Sequence, residues 1–177
     1  MMTQPDYLGR AARVKVMIFD VDGVLTDGGI TYGPDGEAVK TFYVLDGLGI
    51  QLLQRTGVAT AIISARQSPI VVKRAADLGI THVFQGQHDK RLAFAELLAA
   101  TGVTAAECGY IGDDVIDLPL LTRVGFAVTV PSGHPEVQHR AHYVTKNPGG
   151  RGAVREVCDI VMRAQGTYEG ALAPYFG

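Results

Sequence analysis

The chain has only two cysteines, Cys108 and Cys158, in 177 residues. Two thiols far apart in sequence make neither a metal-ligand spacing nor a disulfide framework. Positive charge is not in surplus either: 16 Lys and Arg stand against 18 Asp and Glu, a formal net charge of −2. That balance gives no reason to expect nucleic acid or an anionic membrane as a partner. The longest apolar runs are strand-sized, far too short to span a bilayer. Met1 to Arg13 carries charges and a proline and has no apolar core, so it does not read as a signal peptide. Internal repeats, linkers and low-complexity tracts are also missing. What is present, 47% hydrophobic and 19% charged residues, describes a soluble globular protein. The length fits one domain, residues 1–177, with a sizeable core. The cytoplasm is the default compartment.

The apolar residues come in short β-rich runs. Val14 to Phe19 (VKVMIF) is almost continuously apolar, as a strand buried on both faces reads. Similar runs recur at Val58 to Ile63, Thr81 to Phe84, Cys108 to Ile111 and Val124 to Val130. Helical patterns lie between them: Leu48 to Arg55, the segment from Pro69 to Gly79 with Ser68 as N-cap, Lys90 to Ala100, Asp114 to Thr122, and Gly152 to Ala164. Strands alternating with helices of this length predict an α/β fold with a doubly wound, Rossmann-like parallel sheet. One segment breaks the alternation. Gly29 to Val44 has two β-rich runs flanking PDG, which predicts an antiparallel hairpin after the first strand and no large cap domain. Its aromatics Tyr32, Phe42 and Tyr43 are expected in an interface between subunits. The tail, 166–177, shows no helical period and reads as flexible.

Sites in open parallel sheets form at the carboxyl ends of strands. Here Asp20 and Asp22 follow the first strand, Ser64 the second, Lys90 comes shortly after the third, and Asp113, Asp114 and Asp117 follow the fourth. The fold would bring these groups to one edge. Clustered carboxylates repel one another unless a cation sits among them, and hard oxygen ligands favour Mg²⁺. A carboxylate can also act as a nucleophile and form an aspartyl-phosphate. A phosphoryl group in transfer needs cations and hydrogen-bond donors around it, which Lys90, the Ser64 hydroxyl and backbone N–H groups at the Gly23 turn would supply. Asp22, two residues beyond Asp20, points to the same side and is placed to act as general acid and then base.

The motifs DVDGVLTDG, IIS, Lys90 and GDDVID, in this order and each after a strand, resemble the haloacid dehalogenase superfamily. The match spans about Val14 to Gln165. TDG before a hairpin, FYVLDGLGIQLL, ISAR and GGRGAVREVCD resemble its 3-deoxy-D-manno-octulosonate 8-phosphate (KDO 8-phosphate) phosphatase family. The resemblance implies a capless, Mg²⁺-dependent phosphoric monoester hydrolase in lipopolysaccharide precursor synthesis. It implies a homotetramer with hairpins at its centre and neighbours helping to complete the sites. It implies Asp20 as nucleophile and Asp22 as acid/base. The implied metal set is Asp20, the Asp22 carbonyl and Asp113, with Ser64 and Lys90 on the phosphate. Ala65 departs from the commoner ISGR and leaves Arg66 in place.

The residues leave alternatives open. Asp114 reads as a helix N-cap rather than a metal contact, and Asp117 as a residue that orients loops. Arg66 is either a surface residue or a clamp for a substrate carboxylate. The five histidines share no face and read as structural or solvated. The substrate could instead be another 2-keto-3-deoxy sugar acid phosphate, such as a nine-carbon sialic-acid type. A non-catalytic interaction module on the same fold is the third reading.

Overall fold

The computed structural model of the protein describes residues 6–176. Strand β1 (Val16–Phe19) is buried along its whole length. A two-stranded antiparallel hairpin, β2 (Thr31–Gly33) and β3 (Gly36–Val39), follows it and turns on Pro34 and Asp35. The other apolar runs become β4 (Ala59–Ile63), β5 (His82–Phe84), β6 (Cys108–Ile111) and β7 (Phe126–Thr129), and a short β8 (Tyr143–Val144) joins the edge. β1 and β4 to β8 form one six-stranded sheet in the order β5-β4-β1-β6-β7-β8, every pairing parallel.

Helices cover both faces. Ala11 of α1 (Tyr7–Ala11) packs with α2 (Val44–Arg55), α3 (Pro69–Leu78) and α7 (Ala153–Ala164) against Met17 and Phe19. Residues of α4 (Lys90–Thr101), α5 (Leu118–Leu121) and α6 (Pro135–Arg140) pack against Val16 and Ile18 on the other face. Alternate residues of β1 thus feed the two cores, as the period of a strand requires. After β1 the chain winds to β4 and β5 on one side, then returns to β6, β7 and β8 on the other. The order reverses beside β1, so a crevice opens at the carboxyl ends of β4, β1 and β6.

Several boundaries differ from expectation. The hairpin strands stop at Val39, and Phe42 and Tyr43 are half-buried in this chain rather than left for an interface. Phe42 packs on the core under the Arg74 guanidinium, and Tyr43 is the N-cap of α2. Only Tyr32, 68% exposed, keeps the expected character. α2 begins at Val44, not Leu48, although Gly47 and Gly49 read as helix breakers. Those glycines make room: a Cβ on Gly49 would stand 2.8 Å from Arg155 Cδ of α7. Close packing of α2 on α7 therefore overrides helix propensity. The tail is ordered: α8 (Tyr168–Leu172) lays Tyr168, Ala171 and Leu172 on the core, and Arg163 stacks over the Tyr168 ring at 3.6 Å. A helix of five residues is too brief to show a period in the sequence. α1, α6 and β8 were equally too short to read from the pattern.

Candidate active site

β1 ends at Phe19, and Asp20 still donates its N–H to Ile111 O of β6 at 3.0 Å. The sheet therefore holds the Asp20 backbone while its carboxyl enters the crevice. Asp20 Oδ1 accepts the Val21 N–H at 2.8 Å and faces Lys90 Nζ at 3.0 Å. Lys90 is the first residue of α4, where the helix dipole disfavours a cation. Its side chain is fully buried, and two carboxylates hold it there. Its ammonium bonds Asp117 Oδ1 at 2.6 Å and the Tyr110 hydroxyl at 3.0 Å. Burial pulls the Lys90 pKa down, but Asp20 and Asp117 outweigh it and hold the group above its ordinary value.

Asp117 is saturated. Oδ1 accepts from Lys90 and from the Tyr110 hydroxyl at 2.5 Å; Oδ2 accepts the Asp113 and Asp114 N–H groups at 2.9 and 3.1 Å. Asp117 orients loops, as expected, and also fixes the lysine. Asp114 is an N-cap, accepting the Val115 N–H at 2.7 Å. Asp20, Asp113 and Asp117 each bring a carboxylate oxygen within 4.8 Å of the others. Burial, then Asp117, pushes both Asp20 and Asp113 up to about 7. Three carboxyls this close together call for a second cation beside Lys90. Since Asp117 has no oxygen to spare, Asp20 and Asp113 are the carboxylates open to a hard divalent ion.

The loop after β1 is shaped by glycine and threonine. Gly23 has φ +85°, and a Cβ there would stand 1.9 Å from Asp113 Oδ2. Its N–H points at Thr26 Oγ1 at 3.3 Å, so the donor expected for a phosphate is spent on the turn itself. Gly23 thus serves by leaving space. Gly149 abuts the same loop: its Cβ would stand 1.8 Å from Gly23 O. Ser64 lies at the end of β4, buried, with its N–H on Phe84 O and its carbonyl on Gln87 N. A crevice of about 270 Å³ is lined by Asp20, Asp22, Ser64, Arg66, Asp113 and Asp114, among others. Lys90 does not line it, but its buried ammonium meets the lining residue Asp20 at 3.0 Å. A larger groove of about 490 Å³, between Tyr7, Tyr143 and Arg155, holds none of these groups.

Asp22 stands at the rim. Oδ1 takes Lys40 Nζ at 2.5 Å, and Oδ2 lies 3.8 Å from Arg66 Nε. Lys40 also meets Glu37 Oε2 at 3.0 Å, and the Arg66 guanidinium meets the same oxygen at 3.2 Å. Ser68, expected to cap α3, instead donates its hydroxyl to Glu37 Oε1 at 2.7 Å. Burial works to raise the Glu37 pKa, but Ser68 and Lys40 outweigh it and hold the carboxyl below its ordinary value. Sequence reasoning missed Glu37, Lys40, Ser68 and Tyr110. Tyr110 sits in an apolar strand run and reads as core. The hairpin pair stands three residues apart on a segment that reads as surface. Only an acid and a base in an inserted hairpin hinted at it. Among the histidines, His134 and His142 accept backbone N–H bonds from Glu136 and Ala127, so these two are structural as expected.

A family model described as haloacid dehalogenase-like hydrolase matches residues 70–156. The chain is 48% identical over 166 residues to the 3-deoxy-D-manno-octulosonate 8-phosphate phosphatase of Yersinia pestis, covering 94% of this chain and 89% of that protein. It is 45% identical over 166 residues to the phosphatase of the same name from Escherichia coli (strain K12), covering 94% and 88%. The crystal structure of the Moraxella catarrhalis phosphatase of that name, in complex with magnesium ion, phosphate ion and KDO molecule, matches with a TM-score of 0.94. That match is 40% identical and covers 98% of this chain and 99% of the other. Similarity of this extent, over a fold whose switch-point crevice gathers the expected carboxylates and lysine, settles the kinship: the chain belongs to the 3-deoxy-D-manno-octulosonate 8-phosphate phosphatase family of haloacid dehalogenase-like hydrolases.

Proposed function

We propose that this crevice hydrolyses 3-deoxy-D-manno-octulosonate 8-phosphate to KDO and inorganic phosphate, as a step in lipopolysaccharide precursor synthesis. The observation that carries the reading is the buried Asp20–Lys90–Asp117 cluster at the sheet's switch point with Asp22 at its rim. An interaction surface has no use for like charges gathered and buried in this way.

The Asp20 carboxylate attacks phosphorus. The Ser64 hydroxyl holds a phosphoryl oxygen, and the Lys90 ammonium, 3.0 Å from Asp20 Oδ1, offsets the negative charge gathered there as it spreads over the phosphoryl group. Asp22 gives a proton to the departing sugar oxygen, then takes one from the water that opens the aspartyl-phosphate. Arg66, 38% exposed at its side chain and facing the crevice, meets the carboxylate of the sugar acid. Mg²⁺ fits the donor set, with Asp20, Asp113 and the Asp22 main-chain carbonyl as its protein ligands. Bound there, it neutralises carboxylate and phosphoryl charge so that the two can approach.

The same reading includes a homotetramer, with the exposed hairpin at its centre, working in the cytoplasm. No helix among the described residues is long and apolar enough to cross a membrane. The test is phosphate release across a panel of eight- and nine-carbon 2-keto-3-deoxy sugar acid phosphates with Mg²⁺. The eight-carbon substrate is expected to give the highest kcat/KM. Preference for a nine-carbon substrate would move the assignment, and no release from any would return the chain to the non-catalytic reading.

A further inference from the structure

The hairpin has so far looked like a device for assembly. Its inward-facing charges give it a second connection, to the chemistry. Lys40 follows β3 directly, and its side chain is only 2% exposed. A buried ammonium is costly unless it is paired. Its two partners are Asp22 Oδ1 at 2.5 Å and Glu37 Oε2 at 3.0 Å. Glu37 is held in turn by Ser68 from the start of α3 and by Arg66 from the loop after β4. The lysine is therefore fixed from three directions: by its own strand, by the acid, and through Glu37 by the body of the sheet.

Resting on the phosphatase reading above, we propose that Lys40 is a positioning residue for the general acid Asp22. A carboxyl group offers two oxygens, and only one can carry the transferred proton. Lys40 occupies Oδ1, which leaves Oδ2, the oxygen on the Arg66 side of the crevice, as the one free to carry the transferred proton. In the first step Asp20 forms a bond to phosphorus, the bond from phosphorus to the leaving oxygen breaks with its electron pair on oxygen, and the Oδ2 proton moves to that oxygen. Lys40 then faces the carboxylate left behind and stabilises it. In the second step water attacks phosphorus, its proton returns to Asp22, and the aspartyl bond breaks with its electron pair on Asp20. Lys40 touches neither substrate nor phosphoryl group in this scheme; it acts only through Asp22.

The alternative is that the Asp22–Lys40–Glu37–Arg66 quartet merely fastens the hairpin. The two roles separate by leaving group. An alkoxide cannot leave without a proton, whereas p-nitrophenolate can, so loss of acid positioning hurts the first and spares the second. A fastening role would affect all substrates alike. The experiment measures kcat/KM with Mg²⁺ for phosphate monoesters running from p-nitrophenyl through phenyl to simple alkyl esters. This parameter reports steps up to departure of the leaving group. It compares the unaltered protein with Lys40→Met and Lys40→Arg, with unfolding temperature as a fold control.

In Lys40→Met, p-nitrophenyl phosphate should lose less than about 3-fold and the alkyl ester on the order of 100-fold, since a positioned acid contributes about 10²–10⁴. The plot of log kcat/KM against leaving-group pKa should steepen accordingly. Lys40→Arg, which restores a cationic donor, should recover most of the alkyl rate. Equal losses across the series, or no loss, would overturn the proposal. If Lys40→Met does not fold, Lys40→Gln takes its place: a loss that grows as the leaving group worsens upholds the proposal, and an equal loss or none overturns it. If the unaltered protein releases phosphate neither from these esters nor from 3-deoxy-D-manno-octulosonate 8-phosphate, the phosphatase reading fails rather than the role of Lys40.

Discussion

Asp20 has to be ionised to attack phosphorus, yet burial and Asp117 push its carboxyl up to about 7. Lys90 offsets only part of this. An amide of the same shape would sit there without that conflict, while Lys90 keeps its bond to Asp117. Asp20→Asn is therefore expected to abolish turnover and to leave the metal-free protein at least as stable as the original. Phosphate release and the unfolding temperature check the two halves. Retention of more than a few per cent of activity would exclude the aspartyl-phosphate route. The groups that sequence made legible were those whose residue type is wrong for its place: Asp20 and Asp22 directly after an apolar strand, and Asp113 after another. Tyr110 was not legible, because its ring belongs in a core and only its hydroxyl, bonded to Asp117 and Lys90, serves the site. Lys40 and Glu37 were hidden by separation. Their partners Asp22, Arg66 and Ser68 lie on other loops, and nothing local says that a charged hairpin residue turns inward.

Helix α7 has a glycine at its N-cap, Gly152, which offers no side-chain acceptor. The acceptor comes from across the interface instead. Asp46, in the first turn of α2, takes the Gly152 N–H at 3.3 Å and the Arg155 N–H at 2.8 Å. Burial raises the Asp46 pKa in spite of these bonds, so the carboxylate is bound where it is costly to hold. Asp46→Ala should lower stability by roughly 1–2 kcal/mol, the range for losing a helix cap. Asp46→Asn should lose about half as much. Urea unfolding with an unchanged m-value would measure both. A loss below a few tenths of a kcal/mol in Asp46→Ala would mean that water replaces the cap. The same contact explains what could be read of the elements. β1, β6 and β7 announced themselves because each is a short run buried along its whole length. The start of α2 did not, because its N-cap Tyr43 makes no side-chain cap bond and its glycines answer to α7 rather than to helix propensity.

At the scale of the whole molecule, the crevice couples charge to stability, and the exposed hairpin bears on the proposed assembly. Asp20 and Asp113 both have folded pKa values of about 7, above the ordinary carboxylate value of 3.8. A raised carboxyl binds its proton more tightly in the folded state, so its contribution is complete below the unfolded pKa and is lost as pH rises through the folded one. Metal-free protein in EDTA should therefore lose stability between about pH 4 and pH 7. Mg²⁺ should restore it, by more at pH 8 than at pH 5, because the ion binds the ionised pair. A shift in unfolding temperature independent of pH would separate the ion from these two groups. Assembly makes the other demand. A lone two-stranded hairpin is marginal in water, yet this one exposes Ile30, Tyr32 and Val39. Closed symmetry would pair hairpins from several subunits and bury that surface, which is why a homotetramer is expected in light scattering. The tail divides into two parts. α8 packs on α2 and α7, whereas Tyr175 and Phe176 beyond it are exposed. Tyr175 bonds Arg55 at the far end of α2, where the chain enters β4 from the edge opposite the crevice. Within its own subunit this tail therefore lies away from the site. If the end of the tail reaches a neighbour's crevice, deleting residues 173–177 should change KM while preserving the tetramer and the unfolding temperature. Deleting residues 167–177 should also lower the unfolding temperature, because Tyr168, Ala171 and Leu172 leave the core. A fully active monomer would remove the assembly from this account, and unchanged kinetics in the shorter deletion would remove only the tail.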